Sequence, residues 1–330
     1  MKNEINFIEK CKNKVFSKQK VSFRDAFRLI NTSAENLPYL LAAANQIKLK
    51  FLGKKVVLCG IVNAKSGRCS ENCSFCAQSA YFPTKAAVYP LKKKQELLKS
   101  AIRARKIGSN CFSIVTSGKG VATEKDLQEI LAAVKLIKKQ VKINKCTSLG
   151  ILSLQQAHSL KKAGLNKYHH NLETAESYFP QVCTTHSYAE RLTTIKNALK
   201  AGLKVCSGGI LGLGESAKQR VEMAFALKEL NVDSVPLNIL NPIPGTKAAN
   251  NKQKITPLEV LKTIATYRFI LPNKVIGIFG GREVNLRDLQ GMIFWAGANS
   301  MLIGDYLVTS GRPAQDDLQL VKDLELTPSL

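Results

Sequence analysis

The sequence predicts an α/β protein that folds as a (β/α)8 barrel of the TIM type, with a helical cap at its N-terminus. Short β-rich runs alternate with amphipathic helices that carry recognisable start and stop signals. We find eight such runs, at approximately 55–62, 110–115, 141–147, 166–171, 203–208, 233–238, 274–279 and 299–303. A count of eight favours a closed barrel over the alternative, an open doubly wound sheet.

Capping signals mark where the helices begin and end. Ser153 and Ser187 each stand three residues before a Gln or Glu, the spacing of a capping box. Pro257 suits the first position of a helix, because its missing N–H would have no partner there. Gly164 follows a helix end, where a left-handed backbone closes the last turn. From this pattern we expect a helical cap at 1–50, the barrel at 51–310 and a C-terminal tail at 311–330.

Composition limits the function classes. The net charge is +25, from 49 Lys and Arg against 24 Asp and Glu, but the lysines are spread along the whole chain. That pattern favours a solvated surface over a nucleic-acid partner, and a basic nucleic-acid-binding protein with a structural metal site is kept as an outside alternative. No run of about 18 apolar residues predicts a membrane span. The N-terminus lacks an apolar signal segment, so we expect a cytoplasmic protein.

Three of the nine cysteines are closely spaced. Cys69, Cys73 and Cys76 have the pattern C-x-x-x-C-x-x-C directly after the first predicted strand. Three thiolates on one tight loop can hold three corners of a 4Fe–4S cluster and leave its fourth iron open. A structural zinc site would need a fourth protein ligand, usually from a second cysteine pair, and none lies nearby. In a barrel the loop would lie at the mouth, where active groups gather.

This cysteine loop resembles that of the radical S-adenosylmethionine (SAM) superfamily, whose open iron binds SAM. By the same resemblance, Phe75 would lie against the adenine of SAM. The glycine-rich run after the fifth strand, which includes Gly208 and Gly209, would support that adenine. Asn171 and Glu173 share one face by strand parity and could bind ribose hydroxyls.

A narrower resemblance covers roughly residues 55–310. The chain is similar to the biotin synthase family in a series of segments that occur in the family's order: NAKSGRCSENCSFCAQSA, HHNLETA, CTTHSYAERL, VCSGGILGLGE, DSVPLNILNPIPGT, GGREVNL and GANSMLIGDYL. The resemblance implies a radical SAM sulfurtransferase that inserts sulfur into dethiobiotin to make biotin, the last step of biotin biosynthesis. Another barrel-type radical SAM enzyme, a maturase or a mutase, remains the alternative.

The resemblance also implies cofactors, partners and residue roles. Cys69, Cys73 and Cys76 would hold the 4Fe–4S cluster, and no side-chain acid or base would be catalytic. Arg191 would join Asn171 and Glu173 at SAM, since a guanidinium binds a carboxylate through two hydrogen bonds, and Asn238 would contact the ureido ring of dethiobiotin. A reduced flavodoxin- or ferredoxin-type donor, an iron–sulfur assembly system and a homodimer are the expected partners.

The sequence departs from the family at a second, auxiliary iron–sulfur cluster, 2Fe–2S in the common pattern. That pattern uses three cysteines and an arginine inside the barrel. Cys146 and Cys206 match it, whereas Ser113 and Gly277 stand at the other two positions. The resemblance is then to a variant branch with a larger cluster and more cysteines. We expect Cys59 and Cys183 as the added ligands, with Cys111 in reserve and Ser113 lining the site.

Overall fold

Parallel strands close into a barrel with helices outside it. The computed structural model describes residues 2–251 and 254–329. Its strands are β1 Lys55–Lys65, β2 Cys111–Thr116, β3 Asn144–Ser148, β4 Lys167–His169, β5 Lys204–Cys206, β6 Gly209–Leu211, β7 Ser234–Ile239, β8 Val275–Ile278, β9 Ser300–Leu302 and β10 Thr327–Pro328. Neighbours pair in chain order, and β9 returns to pair with β1. This closure confirms the predicted eight-position barrel.

The fifth position of the barrel differs from the sequence prediction. The run 203–208 was expected to form one strand, but β5 ends at Cys206 and β6 resumes at Gly209. A Cβ atom at Gly208 would lie 1.8 Å from the carbonyl oxygen of Pro236. The close approach of β7 therefore requires glycine here and interrupts the strand. Both pieces pair with β7, so together they fill one position.

Helices surround this barrel, and three of them start where the signals at Ser153, Ser187 and Pro257 predict. They are α1 Lys2–Phe16, α2 Phe23–Ile30, α3 Leu37–Leu52, α4 Lys94–Lys106, α5 Glu124–Gln140, α6 Leu154–Ala163, α7 Phe179–Val182, α8 Tyr188–Lys200, α9 Ala217–Glu229, α10 Pro257–Ile270, α11 Arg282–Leu286, α12 Met292–Trp295 and α13 Ala314–Asp323, with 3-10 turns at Glu176–Tyr178, Lys247–Asn250 and Arg287–Gly291. Ser153 and Ser187 each accept the predicted capping hydrogen bond. No helix in the described ranges is long and apolar enough to cross a membrane.

The chain ends pack onto the barrel from outside. Helices α1–α3 fall in the predicted N-terminal cap, where α3 packs against α10 and α2 against α9 and α10. The predicted C-terminal tail at 311–330 includes α13 and the short strand β10, which pairs with the start of β1. The terminal residues Met1 and Leu330 of these predicted units lie outside the described residues. The mouth at the carboxyl ends of the strands is thus built from the loops between strands and helices.

Candidate active site

The cysteine loop follows β1 and is held by its own backbone. The amide of Cys69 donates to the carbonyl of Gln78 at 2.9 Å, the amide of Ala80 donates back to Cys69 at 2.8 Å, and Cys76 donates to Cys73 at 2.9 Å. Burial raises the pKa of the Cys76 thiol to about 11. Iron must therefore displace protons when it binds, as thiolate ligands generally require. Three thiols on a preformed loop suit a 4Fe–4S cluster.

Cys183 lies beside this loop. Its Sγ is 3.3 Å from both Nδ1 of His186 and Oδ1 of Asn72, and the ligand atoms of Cys73, Cys183 and His186 all lie within 4.8 Å of one another. Glu71, in the cysteine loop, contacts Nδ1 of His186 at 2.5 Å. The segment after α7 therefore folds onto the cysteine loop, and Cys183 is not among the residues that line the barrel interior, where its role in the auxiliary cluster was expected.

A cavity of about 350 Å³ fills the barrel from the mouth inwards. Phe75 enters it from the cysteine loop, and Asn171 and Glu173 enter it just beyond β4. The predicted strand 166–171 is shorter than expected, but the extended backbone continues, because the amides of His170 and Leu172 donate to Cys206 and Gly208. Glu173 itself has a φ of +69°, outside the extended region, so its place beside Asn171 in the cavity depends on this local turn and not on strand alternation alone.

Arg191 joins these two residues at the mouth. Its Nη1 donates to the carbonyl of Asn171 at 2.9 Å and lies 3.5 Å from Oε1 of Glu173. Nε of Arg191 is buried and has no hydrogen-bond partner among the described residues. Burial raises the pKa of Glu173, and the nearby guanidinium opposes that rise. A polar ligand with both anionic and hydroxyl groups, such as SAM, suits this arrangement.

Gly208 and Gly209, the two glycines predicted to support adenine, pack against Asn171 and Glu173. The amide of Gly208 donates to Oδ1 of Asn171 at 3.1 Å. A Cβ atom at Gly209 would lie 2.5 Å from the carbonyl oxygen of Glu173 and from Sδ of Met223. The glycines thus allow β6 to approach the 171–173 segment and fix its position.

Asn238 lies on β7 and also lines the cavity. Its Oδ1 accepts a hydrogen bond from the amide of Gly280 at 2.9 Å. Its Nδ2 has no partner within the parts of the chain that the structure describes, so the amide group can donate to a ligand carbonyl.

Four cysteine side chains line the inner part of the same cavity. Cys59 and Cys111 are register partners on β1 and β2, Cys146 lies on β3 opposite Ser113, and Cys206 ends β5. The thiol of Cys59 lowers the pKa of Cys111 to about 7 by a hydrogen bond. The structure therefore places Cys111, the reserve candidate, among the interior thiols. Four thiols around one cavity match the ligand number of an iron–sulfur cluster.

Gly277 contributes no ligand to this group. A Cβ atom there would lie 2.7 Å from Cε1 of Phe279 and 2.9 Å from Cβ of Ser300. Any larger residue, including the arginine of the common family pattern, would require these neighbours to move. Ser113 lines the cavity, and its Oγ is buried without a partner among the described residues.

Sequence reasoning missed two further residues of the cavity, Lys167 and His169. Both lie on β4 in the same alternation as Asn171, which was the available signal. Nε2 of His169 is 2.9 Å from Oδ1 of Asn171. Burial lowers the pKa of His169 to about 4, so its ring is neutral. Lys167 donates from Nζ to Oγ of Ser234 at 2.9 Å.

Known proteins share this fold and match large parts of this sequence. Residues 64–227 match the family model of the radical SAM superfamily, and 236–327 match the biotin and thiamin synthesis associated domain. The chain superimposes on a methylornithine synthase with a TM-score of 0.84, at 18% identity and with 97% of each chain covered. A FeFe-hydrogenase maturase from Carboxydothermus hydrogenoformans gives 0.81 at 20% identity, covering 99% of this chain and 80% of that one. At such identities these likenesses show the fold.

Sequence relatives are much closer. A biotin synthase of Geotalea uraniireducens is 52% identical over 322 residues, 98% of each chain. One of Geobacter sulfurreducens is 50% identical over 323 residues, again 98% of each, and one of Pelotomaculum thermopropionicum is 49% identical over 95% of this chain and 97% of that one. The fold and the cysteine loop define a radical SAM enzyme, which implies a 4Fe–4S cluster and SAM as cofactors. Within that class, the chain belongs to the biotin synthase family.

Proposed function

We propose that this protein makes biotin by inserting sulfur into dethiobiotin in a SAM-dependent radical reaction. Family membership supports the activity. The observation that carries the proposal in this structure is a single cavity with the cysteine loop at its mouth and four more thiols inside it. The 4Fe–4S site at the mouth and the auxiliary site inside would then face each other across the cavity, which has room for a small molecule such as dethiobiotin.

The cysteine loop is the proposed cofactor site at the mouth. Cys69, Cys73 and Cys76 would hold the 4Fe–4S cluster, which with SAM supplies a carbon radical able to remove hydrogen from an unactivated C–H bond. Arg191 and Glu173 orient SAM through its charged and hydroxyl groups, and Phe75 provides an apolar face. The barrel wall excludes water, which protects a reactive intermediate from side reactions with solvent.

Substrate position depends on the polar groups between the two cofactor sites. Asn238 is proposed to donate from Nδ2 to the ureido carbonyl, because its Oδ1 is already occupied by Gly280. His169 is neutral and held by Asn171. Its ring can therefore contact an uncharged ligand group at no cost in buried charge.

Cys59, Cys111, Cys146 and Cys206 are the proposed ligands of the auxiliary cluster, which would hold the sulfur for insertion. Four thiolates serve a 2Fe–2S or a 4Fe–4S cluster equally well, so the iron count decides between the family default and a larger cluster. Cys183 is left out of this set because its thiol contacts the cysteine loop.

The remaining features come with the family resemblance. We propose a cytoplasmic enzyme that works as a homodimer, takes electrons from a reduced flavodoxin or ferredoxin and obtains its clusters from an iron–sulfur assembly system. We propose no nucleic-acid or membrane partner. The three-unit division at 1–50, 51–310 and 311–330 is likewise our proposal.

Anaerobic reconstitution with iron and sulfide, followed by turnover with SAM, dethiobiotin and a chemical reductant, tests the function. We expect biotin as a product and a release of 5′-deoxyadenosine that rises with dethiobiotin. A Cys73→Ala variant should lose both. Deoxyadenosine without biotin would favour another radical SAM enzyme. Failure to assemble any cluster, together with salt-dependent binding to DNA or RNA, would favour the nucleic-acid-binding alternative.

A further inference from the structure

Lys167 places a cation among the interior thiols. It is the first residue of β4 and is the register partner of Cys146 on β3. Its side chain lines the same cavity as Cys59, Cys111 and Cys206. Most of the 49 basic residues of the chain are consistent with a solvated surface, but this one points to the interior.

Among the residues that the structure describes, the ammonium of Lys167 has a single hydrogen-bond partner. Nζ donates to Oγ of Ser234 at 2.9 Å. Within the described ranges no carboxylate oxygen lies within the 4.0 Å of an ion pair. A largely enclosed cation without a counter-ion is costly, and such charges in proteins are paired or ligand-bound. The working protein therefore needs a negative group at this point of the cavity.

Two negative groups could lie there, a sulfur-rich cluster and the carboxylate of the substrate. Position favours the cluster. Lys167 precedes Asn171 by four residues on the inward face, which separates the two by about 13 Å along an extended chain. Asn171 marks the mouth, whereas Lys167 lies beside Cys146. The ammonium is thus at the level of the thiols and away from the groups proposed to bind SAM.

The glycine at position 277 also favours the cluster as the partner of Lys167. β8 cannot supply a positive side chain from that position, because Phe279 and Ser300 occupy the space around its Cα atom. A cluster on four thiolates is negatively charged, and nearby charge and hydrogen bonds to sulfur set its potential. Lys167 on β4 is the cation that the structure places beside these thiols.

We propose that Lys167 is a positioning residue of the auxiliary cluster, whose ammonium donates hydrogen bonds to cluster sulfur and offsets the charge of the four thiolates. The inference rests on the proposed function, since it requires an auxiliary cluster on Cys59, Cys111, Cys146 and Cys206.

The test uses a chain in which Cys69, Cys73 and Cys76 are all changed to Ala, so that spectra report the auxiliary cluster alone. Lys167→Met and Lys167→Arg are compared with Lys204→Met in this background. Lys204 is the matched control, because it is the register partner of Lys167 on β5 but is exposed. Iron, sulfide and the cluster's reduction potential are measured after anaerobic reconstitution.

We expect Lys167→Met to shift the potential to a more negative value, because loss of a cation disfavours the reduced state. Its iron should also be lost more readily on gel filtration. Lys167→Arg should retain most of the parent potential and Lys204→Met all of it. Equal potentials and iron contents in Lys167→Met and Lys204→Met would overturn the proposal.

Turnover of the same substitutions in the chain with an intact cysteine loop excludes the substrate alternative. A higher KM for dethiobiotin in Lys167→Met, with an unchanged auxiliary cluster, would assign the ammonium to the substrate carboxylate and overturn the proposal. Failure of the proposed function appears separately, because the parent chain would then bind no auxiliary iron before Lys167 is changed.

Discussion

Cys59 on β1 and Cys111 on β2 are direct register partners, and both side chains line the barrel cavity. Cys111 lies two residues before Ser113 on the same face of β2, so a thiol at 111 stands about 7 Å further from the mouth than one at 113 would. Cys59 adds a ligand from β1, while β8 offers none at Gly277. The proposed auxiliary site is therefore displaced toward the amino-terminal ends of the strands and toward β1.

This displacement predicts which cysteine changes remove auxiliary iron. Cys59→Ala or Cys111→Ala should lower the iron and sulfide that remain in a chain whose Cys69, Cys73 and Cys76 are already Ala. Cys183→Ala should leave them unchanged, since its thiol contacts the cysteine loop. Cys11→Ala is the control, because Cys11 is a buried cysteine of α1. Iron loss in Cys183→Ala, with none in Cys111→Ala, would reverse our assignment.

A second prediction concerns Arg191 and SAM. Arg191→Lys should weaken SAM binding by roughly 10- to 100-fold, the loss expected when a charge-assisted pair of hydrogen bonds is reduced to one. Equilibrium dialysis of the reconstituted protein measures it. Lys196→Met is the matched control on the same helix, since Lys196 is exposed. Unchanged affinity in Arg191→Lys would remove Arg191 from the SAM site.

Much of the fold could be predicted because its signals are local. The capping boxes at Ser153 and Ser187 and the eight alternating runs depend on residues a few positions apart. The break between β5 and β6 could not be predicted, because it depends on the approach of Pro236 to Gly208. Strand β10 was missed for the same reason, since two residues become a strand only by pairing with Lys55 and Val56.

The candidate site shows the same difference between local signals, which the sequence reveals, and long-range contacts, which it does not. The spacing of Cys69, Cys73 and Cys76 identifies the cluster loop without any structure. The position of Cys183 beside that loop could not be predicted, because it is set by hydrogen bonds to Asn72, more than a hundred residues earlier in the chain. Lys167 was not recognised because one inward lysine looks, in the sequence, like any other among 49 basic residues.

A buried ion pair joins the C-terminal helix to the barrel, and it predicts a large stability effect. Arg282 binds Asp317 of α13 through Nη2 at 2.9 and 3.0 Å, and both side chains are fully buried. Arg282→Met should cost about 3–5 kcal/mol of unfolding free energy, because it leaves the buried carboxylate of Asp317 with only the partly exposed Arg312, whose Nη1 is 3.7 Å away. Urea unfolding of the variant and the unmodified chain measures this difference in unfolding free energy.

The exposed pair of Lys54 and Glu325 provides the control for that experiment. Its atoms are 3.3 Å apart, but both side chains are solvated, so Lys54→Met should produce no measurable change. The double variant Arg282→Met with Asp317→Leu should recover part of the loss, since no charge remains buried. A single variant Arg282→Met as stable as Lys54→Met would contradict the prediction.

Lys48 of α3 predicts a dependence of stability on pH. The residue is 3% exposed and donates from Nζ to the carbonyl of Phe294 at 2.8 Å. Burial, together with the charge of Arg268, lowers its pKa from 10.5 to about 8. Below pH 8 the folded and unfolded states are both protonated, so the cost of burying the charge is constant.

Between pH 8 and 10.5 only the unfolded state holds the proton at Lys48, and the unfolding free energy should therefore rise with pH. The full rise is about 3 kcal/mol, because each tenfold change in proton affinity corresponds to about 1.4 kcal/mol. Lys48→Met should abolish this part of the slope, which urea unfolding of the cluster-free protein at pH 7–10 would measure. Lys50→Met, at an exposed position of the same helix, should keep it. A parallel pH profile for Lys48→Met and the unmodified chain would show that Lys48 keeps its charge throughout this range.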